Sequence, residues 1–416
     1  MKPDWMGSLP RGWCVKRIKH TTYVKGRIGW QGLRSEEFQD EGPILVTGTD
    51  FENGRVNWET CYHISDERYR EDTYIHLHED DLLVTKDGSI GKLALVRGRP
   101  GPATLNSGIF VTRPISNEYS NAFLYYVLDS NVFADFVNFR SSGTTIDHLY
   151  QNVFVDFAFP MPPLDVQRAI ADFLDRETAK IDDLVGRKAQ MVRLLRERRA
   201  TVVGHILQSM HGAGSGTRAK FVSSISVPGR NKPELTEGGP IPWITLDDIT
   251  GSTVGSSAKG LSVSRSAMFD AGSVIVPPGS VIASCVGQFG IAAVTTTPCV
   301  INQQLQAYVP RKIDPYYLRY VVEASASYFE AVATATTIKY VNQDRFGSLP
   351  VPLASSSEQQ SIVQLLNTTS VQTGAAIDLA LATASKLREY RAALISAAVT
   401  GQLDLRKHEE RLEALA

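Results

Sequence analysis

A long internal repeat constrains the fold of this chain more than any other feature of its sequence. Two stretches, around residues 167–200 and 359–392, match at a constant shift of 192 positions. The matching residues are Gln167, Ile170, Leu174, Leu195, Arg196, Glu197, Arg199 and Ala200 in the first copy, and Gln359, Ile362, Leu366, Leu387, Arg388, Glu389, Arg391 and Ala392 in the second. A repeat of this length indicates two homologous units.

Both repeated stretches have the apolar spacing of a long amphipathic helix. A proline-rich segment precedes each one, and Asp165 and the serines at 355–357 are predicted helix caps. Apolar side chains then recur at steps of three, four and seven, and a helix from 166 to 208 would be about 65 Å long. One helix cannot bury so narrow a stripe alone, so the two helices are predicted to pair as an antiparallel coiled coil. The predicted pairing positions are Ile170, Leu174, Ile181, Val185, Val192 and Leu195 in the first helix, and Ile362, Leu366, Ile377, Leu381, Leu387 and Leu394 in the second.

The regions before the two helices also match, less closely, and have the pattern of mixed α/β globules. The landmarks are Gly42-Pro43-Ile44 with Gly239-Pro240-Ile241, Gly88 and Gly91 with Gly287 and Gly290, Asn106 with Asn302, and Thr144-Thr145-Ile146 with Thr336-Thr337-Ile338. Runs such as 81–85 and 273–276 are predicted strands. Caps at 116–118 and at Asp314-Pro315 predict short helices that begin near 119 and 315.

The predicted fold class is therefore α/β (α+β): two globular domains, each followed by a long helix, with a pseudo-twofold internal repeat. The boundaries are 1–159 for the first globule, 160–210 for the first helical region, 211–353 for the second globule and 354–416 for the second helical region. A Gly/Ser-rich stretch at 211–216 is the predicted hinge between the halves.

The total charge of the chain is near neutral, but the basic and acidic residues are concentrated in separate segments. The 43 basic and 44 acidic residues give a formal charge of −1. Residues 1–34, however, hold eight basic residues and one acid, whereas residues 35–81 hold fourteen acids and three basic residues. Separated blocks can give one face a positive field, so the total charge does not exclude a nucleic-acid partner.

The composition indicates the cellular compartment of the protein and the redox state of its cysteines. The sequence contains no run of eighteen apolar residues, and its first residues lack the apolar core of a signal peptide. Cys14, Cys61, Cys285 and Cys299 lie far apart without a CxxC pair. This pattern favours free thiols in a reducing cytoplasm over a zinc site or a disulfide framework.

Two short motifs suggest chemistry, and both have a simpler interpretation. Asp314-Pro315-Tyr316-Tyr317 is similar to the motif with which adenine methyltransferases hold a flipped base, but it also has the pattern of a helix cap with proline in the first turn. His76 and His78 alternate as metal ligands on a strand would, yet a solvated acidic loop accounts for them better. No phosphate-binding GxxxxGK[ST] loop is present.

The order of globule, long helix, globule and long helix resembles the specificity subunit of type I restriction–modification systems. The match lies in Pro160-Met161-Pro162-Pro163-Leu164 before Gln167 and Ile170, in Pro350-Val351-Pro352-Leu353 before Gln359 and Ile362, and in the segment 387–403. The first repeat departs from the family pattern at its end, where Val203-Gly204-His205 replaces an Ala-Val-Thr-Gly form.

This resemblance implies a non-catalytic, DNA-binding protein for defence against foreign DNA. Each globule would be a target-recognition domain that reads one half of an asymmetric bipartite site in duplex DNA. The helices would set the spacer and dock two modification (methyltransferase) subunits, to which restriction (nuclease–translocase) subunits attach. S-adenosylmethionine, ATP and Mg²⁺ would bind the partners, with no cofactor or metal in this chain. A related combined type II assembly and a scaffold that binds proteins remain alternatives.

Candidate DNA-binding residues follow from chemistry, because Arg and Lys contact phosphates while Arg, Asn, Gln, Ser and Thr contact base edges. Such residues gather at four duplicated places: the entry of each globule, the glycine hairpin, the asparagine turn and the Thr-Thr-Ile segment. The candidates are Lys25, Arg27, Gln31, Arg34, Lys86, Ser89, Lys92, Asn106, Arg140, Ser141, Thr144 and Thr145 in the first globule, and Arg230, Lys232, Gln288, Asn302, Gln303, Thr336, Thr337 and Lys339 in the second.

Overall fold

The computed structural model divides the chain into two compact units. It describes residues 9–27, 33, 35–140, 148–209, 216–334 and 338–405, without the side chains of 138–140 and 208–209. Unit 1 comprises Met1–Lys188 and Ala382–Ala416, and unit 2 comprises Ala189–Leu381. Each unit therefore contains one globule and a part of both long helices. The predicted hinge lies outside the described residues except for Gly216.

The elements of the first globule and its long helix follow in chain order. They are β1 (Cys14–Arg17), α1 (Ile18–Thr21), β2 (Thr22–Gly26), β3 (Gln39–Val46), β4 (Phe51–Glu52), β5 (Arg55–Val56), β6 (Tyr62–His63), α2 (Asp66–Arg70), β7 (Leu82–Thr85), β8 (Leu93–Leu95), β9 (Ala103–Leu105), β10 (Ile109–Pro114), α3 (Asn121–Leu128), α4 (Asn131–Arg140), α5 (Gln151–Phe154), β11 (Ala158–Met161) and α6 (Leu164–Ser209).

The second globule and its long helix repeat this order with small changes. The elements are β12 (Gly216–Arg218), α7 (Ala219–Val222), β13 (Ser223–Ser226), β14 (Leu235–Glu237), β15 (Ile241–Ile244), β16 (Thr253–Val254), β17 (Leu261–Val263), α8 (Arg265–Asp270), β18 (Val281–Ser284), β19 (Ala292–Thr295), β20 (Val300–Ile301), β21 (Leu305–Pro310), α9 (Pro315–Ala324), α10 (Ala326–Val332), α11 (Gln343–Gly347), β22 (Pro350–Pro352) and α12 (Ser356–Val399).

The two globules share one sheet topology, which confirms the predicted mixed α/β class. The main sheet has the strand order β2-β10-β7-β8-β5-β4 in unit 1 and β13-β21-β18-β19-β16 in unit 2. In both units the first strand pairs antiparallel with the last, as β1 with β11 and as β12 with β22. A second sheet contains a parallel pair in each unit, β3 with β9 and β15 with β20.

The central strands are apolar on both faces because each main sheet separates two cores. In β7, Leu82 and Val84 face a core that contains helices α3 to α6, whereas Leu83 faces a second core under β3 and β9. The period of two along a strand sends neighbouring side chains to opposite faces. Val281 and Ile282 of β18 divide in the same way between the two cores of unit 2.

The two long helices pack in antiparallel fashion within each unit. In unit 1, Ile170 and Leu174 near the start of α6 share a core with Leu394 near the end of α12. In unit 2, Val203 near the end of α6 shares a core with Ile362 near the start of α12. None of the helices in the described ranges contains a segment that is long and apolar enough to cross a membrane.

Most of the predicted pairing positions are buried or half-buried, and one is wrong. Leu381 is 49% exposed, while the neighbouring Ala380 and Ala384 are 2% and 5% exposed. The run Leu379-Ala380-Leu381 is apolar throughout, so the sequence pattern leaves the register ambiguous by one residue. The small alanines take the contact positions in this part of α12, and the bulkier leucines point outward.

Three other local predictions need correction. Residues 273–276 form no strand; only Val276 makes an isolated bridge, to Cys299, and the strand lies later, at β18. Helix α3 begins two residues after the predicted position, because Ser120 and not the 116–118 segment caps it. Helix α6 begins at Leu164, so Asp165 lies in its first turn and does not cap it.

Two predicted caps are confirmed. Asp314 accepts a hydrogen bond from the backbone of Tyr317 at 2.9 Å, and Pro315 opens α9. Before α12, Oγ of Ser355 accepts a hydrogen bond from the backbone N–H of Glu358 at 3.4 Å. The same hydroxyl donates to the Glu358 carboxylate at 2.7 Å, a bond that lowers the pKa of that carboxyl. The Asp-Pro-Tyr-Tyr motif is thus a helix cap.

The repeated glutamines fasten each globule to its long helix. Buried Gln167 accepts a hydrogen bond from the backbone of Ser120 at 3.0 Å and donates to the carbonyl oxygens of Glu118 and Pro162 at 2.9 and 2.8 Å. Gln359 accepts from the backbone of Asp314 and donates to Ala354, both at 2.8 Å. Each glutamine therefore joins the cap of a globule helix to the start of a long helix.

Replacing Gln359 with leucine should destabilise unit 2. The variant leaves a backbone N–H and a carbonyl group without their partner in a site where the glutamine is 8% exposed. We expect a loss of about 2–3 kcal/mol, measured as a lower urea midpoint of unfolding. Gln360→Leu is the matched control, because that neighbour is exposed. Equal midpoints for the two variants would contradict the role of Gln359.

The repeated arginines bind the globule of the other repeat. In unit 1, Arg391 of α12 contacts Asp129 at 2.9 Å and Asp182 at 3.2 Å. In unit 2, Arg199 of α6 contacts Glu323 at 3.2 Å. Since Arg199 and Arg391 match at the repeat shift, the same position of each long helix carries the same ionic contact.

Replacing Arg391 with methionine should cost more stability at pH 7 than at pH 5. Burial raises the pKa of Asp129, and Arg391 opposes that rise. Without the guanidinium the ionised carboxylate loses its partner at neutral pH, whereas at pH 5 more of it is protonated. The side chains of Arg391 and Asp129 are 24% and 30% exposed, so we expect about 2 kcal/mol at pH 7, less than for a fully buried pair.

Urea unfolding of Arg391→Met at both pH values, beside the exposed control Arg388→Met, checks this expectation. A loss that does not shrink on acidification would contradict the assigned role of Asp129.

Candidate nucleic-acid interface

A glycine hairpin forms the centre of the candidate interface in unit 1. It connects β7 to β8, and Gly88 and Gly91 have φ of 67° and 80°, a conformation that favours glycine. The backbone N–H of Lys86 donates to Gly108 at 2.8 Å, and the carbonyl of Lys86 accepts from Leu149 at 2.8 Å. These bonds place the asparagine turn on one side of the hairpin and the segment from His148 on the other.

Unit 2 repeats this arrangement bond for bond. Cys285 donates through its backbone to Gln304 at 2.8 Å and accepts from Val341 at 2.9 Å, and Gly287 donates to Lys339 at 2.9 Å. Gly287 and Gly290 have φ of 75° and 83°. Burial raises the pKa of the Cys285 thiol to about 12, so the base of the hairpin holds a neutral side chain.

The structure brings several of the predicted residues together. In unit 1, Ser89 and Lys92 are exposed on the hairpin, and Lys86 is half-buried with its ammonium group 5.2 Å from the Phe110 ring centre. Lys25 of β2, which pairs with β10 and not with the hairpin strands β7 and β8, lies over Tyr74, 5.5 Å from the ring centre.

In unit 2, Gln288 is exposed on the hairpin beside Lys339, whose ammonium group pairs with Glu330. Gln303 donates through its amide to the carbonyl of Gly229 at 3.0 Å, which brings the exposed Arg230 next to the asparagine turn. Lys232 follows two residues later and is exposed. In unit 2 the hairpin, the asparagine turn and the segment at Ile338-Lys339 thus lie together, and the entry segment at Gly229-Arg230 joins them.

Arg27 must be removed from the predicted DNA contacts. Its side chain is 1% exposed, and its Nε donates to the carbonyl of Leu105 at 3.0 Å. Burial lowers the pKa of its guanidinium. Arg27 therefore binds the backbone of β9 inside the globule, and its guanidinium cannot reach a phosphate of bound DNA.

Asn106 and Asn302 are turn residues. The side-chain oxygen of Asn106 accepts from the backbone of Ser107 at 2.8 Å, and that of Asn302 accepts from the backbone of Gln304 at 3.2 Å. Asn302 also donates to the Gln304 side chain at 3.0 Å. These bonds engage the amides locally, so both residues are better assigned to shaping the turn than to reading bases.

Some of the predicted contacts lie outside the described residues. They are Gln31, Arg34, Ser141, Thr144, Thr145, Thr336 and Thr337, together with the side chain of Arg140.

A pair of residues beside each hairpin was not among the sites predicted from the sequence. Asp87 and His148 form a β-bridge in unit 1, and Val286 and Tyr340 form the same bridge in unit 2. Asp87 contacts His148 through Oδ1 and Nδ1, and Tyr340 is 41% exposed. The repeat shift of 192 already relates His148 to Tyr340, and that correspondence could have identified them.

Of the two histidines considered as metal ligands, His76 is engaged by Tyr69. The Nε2 of His76 lies 2.8 Å from the carbonyl oxygen of Tyr69, and its ring stacks on the Tyr69 ring with 3.8 Å between centres. Burial lowers the pKa of His78. In the described part of the chain, no group of three or more His, Cys, Asp or Glu residues could hold a metal ion. All four cysteines are free thiols, as expected.

Two topologically equivalent α/β globules, each with a glycine hairpin at the end of its main sheet and each held by long helices, define an internally duplicated protein. The family model of the type I restriction modification DNA specificity domain matches residues 28–191 and 227–373. The matched residues make up about three quarters of the chain, so the chain belongs to this family.

Known relatives agree with this assignment. The EcoKI specificity subunit of Escherichia coli K12, a type I restriction enzyme subunit, is 24% identical over 201 residues, which cover 48% of this chain and 43% of that protein. The chain thus aligns with less than half the length of this relative.

Two solved structures share the fold. A structure from a study of complex assembly and conformational transition in a type I restriction–modification system has a TM-score of 0.73 and 18% identity, and the match covers 95% of this chain and all of that one. The HsdS subunit from Thermoanaerobacter tengcongensis has a TM-score of 0.51 and 17% identity, with 95% and 98% covered. Both predictions, the family and the fold class, are confirmed.

Proposed function

We propose that this chain is the DNA specificity subunit of a type I restriction–modification complex, and that each globule reads one half of an asymmetric bipartite site. One observation carries the proposal: the same cluster of hairpin, asparagine turn and flanking segment occurs in both units, on equivalent strands, with different exposed side chains. An identical scaffold with different polar groups is what two readers of two different sequences require.

The exposed groups have the chemistry that DNA recognition needs. Lys92, Arg230 and Lys232 are exposed cations for phosphate contacts. Ser89 and Gln288 at the hairpin tips carry hydrogen-bonding groups of the kind that contact base edges in the major groove. Because most of the hairpin is held by its backbone bonds, these side chains keep their polar atoms for a ligand.

The long helices supply surfaces for partner subunits. Apolar side chains point outward from them: Leu184 in unit 1, 44% exposed, and Met191, Leu194, Leu365 and Val371 in unit 2, from 42% to 72% exposed. Contiguous exposed apolar side chains mark interaction surfaces, and Met191 and Leu194 lie three residues apart, on one face of α6. We assign these surfaces to two modification subunits, to which restriction subunits would attach in the cytoplasm.

Chemistry belongs to the partners under this proposal. The modification subunits would bind S-adenosylmethionine and methylate an adenine in each half-site, and the restriction subunits would bind ATP and Mg²⁺. This chain contributes position and specificity. A combined type II assembly would use the same chain in the same way, and the genes that adjoin this one distinguish the two.

Removing two cations of unit 2 should weaken DNA binding without changing stability. We expect Arg230→Ala with Lys232→Ala to lower the affinity of the complex with modification subunits for all duplexes, and to reduce the slope of log affinity against log salt by about one to two. Arg311→Ala is the matched control, because this exposed arginine follows the opposite end of β21 from the asparagine turn.

Fluorescence anisotropy at several salt concentrations measures both quantities. If the double variant and the control bind alike, the entry segment of unit 2 lies off the DNA. If the wild-type complex binds no duplex at all, a protein scaffold becomes the better interpretation.

Lengthening one long helix should lengthen the spacer between the half-sites. Four residues inserted after Lys188, where the two compact units divide, add about 6 Å of helix. Methylome sequencing of cells that express the variant with its modification subunits should then show the same half-sites farther apart. An unchanged spacer would show that the helices do not set it.

A further inference from the structure

The two units differ in chemistry at one pair of equivalent residues beside the hairpin. In unit 1 the bridged pair is Asp87 and His148, which are an acid and an imidazole in contact. In unit 2 the bridged pair is Val286 and Tyr340. The backbone geometry is the same in both units, so the difference lies in what the side chains present.

The acidic pair is positioned for contact with a ligand. The side chains of Asp87 and His148 are 44% and 33% exposed. Asp87 lies on the same hairpin as Ser89 and Lys92, and His148 lies on the segment that bridges to it. The Tyr150 ring meets the imidazole edge-on with 4.6 Å between ring centres. Asp87 uses Oδ1 toward His148, and its second oxygen makes no hydrogen bond to the described residues.

A carboxylate is an unusual group on a surface that faces phosphates, because like charges repel. It becomes favourable where it accepts a hydrogen bond from a base. In the major groove only the N4 amino group of cytosine and the N6 amino group of adenine donate, while the O6 and N7 of guanine and the O4 of thymine accept. A carboxylate at a base edge therefore binds the first two bases and repels the other two.

We propose that Asp87 is a specificity-determining residue of unit 1, which accepts a hydrogen bond from cytosine or adenine at one position of the half-site and rejects guanine and thymine there. His148 is its positioning residue, since the imidazole holds one carboxylate oxygen and leaves the other for the base. This inference rests on the proposed function and adds the chemical class of base that unit 1 selects.

Unit 2 selects by different chemistry. Val286 has no hydrogen-bonding group in its side chain, and Tyr340 presents a phenol next to the exposed Ile338. An apolar surface of this kind suits the methyl group of thymine better than an amino group. A change at Asp87 should therefore alter one half-site only, which provides an internal control within the same molecule.

The test uses the whole complex of this chain with its modification subunits. Methylation is measured on duplex libraries in which each half-site is randomised in turn, for wild type, Asp87→Asn, His148→Ala and His148→Asn. Asp66→Asn is the matched control, because this exposed acid lies on α2, away from the hairpin. Urea unfolding of each variant establishes that stability is unchanged.

Asp87→Asn keeps a carbonyl oxygen but adds an amide donor and loses the charge. We expect it to reduce discrimination at one position of the unit 1 half-site by about 10-fold to 100-fold, so that guanine or thymine is accepted there. The other half-site should stay the same. His148→Ala should relax the same position by less, and His148→Asn, which retains a donor toward Asp87, should restore part of the discrimination.

The outcomes separate this inference from the proposed function. A wild-type complex that methylates no bipartite site would overturn the proposed function itself. A wild-type complex that reads such a site, beside an Asp87→Asn variant that leaves both half-sites unchanged, overturns only the role of Asp87. Equal relaxation of both half-sites, or the same effect from Asp66→Asn, also overturns it, because the effect would then be one of overall charge.

Discussion

Two arginines at matching positions of the long helices hold each globule to the helix of the other repeat, and this exchange joins the two repeats within each compact unit. Arg199 follows the first globule in the chain but binds Glu323 of the second, and Arg391 follows the second but binds Asp129 of the first. Each compact unit therefore needs sequence from both repeats. A single globule with its own helix would lack this contact and part of its core.

The charged centres that anchor the two globules have opposite composition. In unit 1, one arginine lies between two acids, Asp129 and Asp182. In unit 2, one acid, Glu323, lies between Arg199 and the buried Arg319, whose guanidinium stacks on the Tyr320 ring at 3.9 Å. Both arrangements place opposite charges next to each other, which a partly buried ionic group requires. The repeated arginine therefore makes an ion pair in both units, although the charges around it differ.

The features that could be predicted from the sequence are those that repeat or that have a regular period. The two long helices, the Asp314 cap and the α/β class follow from spacing and turn chemistry, which are local properties. The predictions that Arg27 contacts DNA and that Leu381 pairs the helices were wrong, because burial depends on which residues the rest of the chain brings nearby. Arg27 is buried against the carbonyl of Leu105, and Ala380 is buried in place of Leu381. The run Val274-Ile275-Val276 has the composition of a strand, but only Val276 forms a bridge, to Cys299.

The candidate interface varies between the units because backbone atoms hold its shape. The bonds from Lys86 to Gly108 and Leu149, and from Cys285 to Gln304 and Val341, all join main-chain groups. Such bonds do not depend on the identity of the side chains that project from the hairpin. Substitutions at its exposed positions therefore cost little folding energy and change chiefly what the surface can bind. Under the proposed function, this separation lets one fold present Asp87 with His148 in one unit and Val286 with Tyr340 in the other.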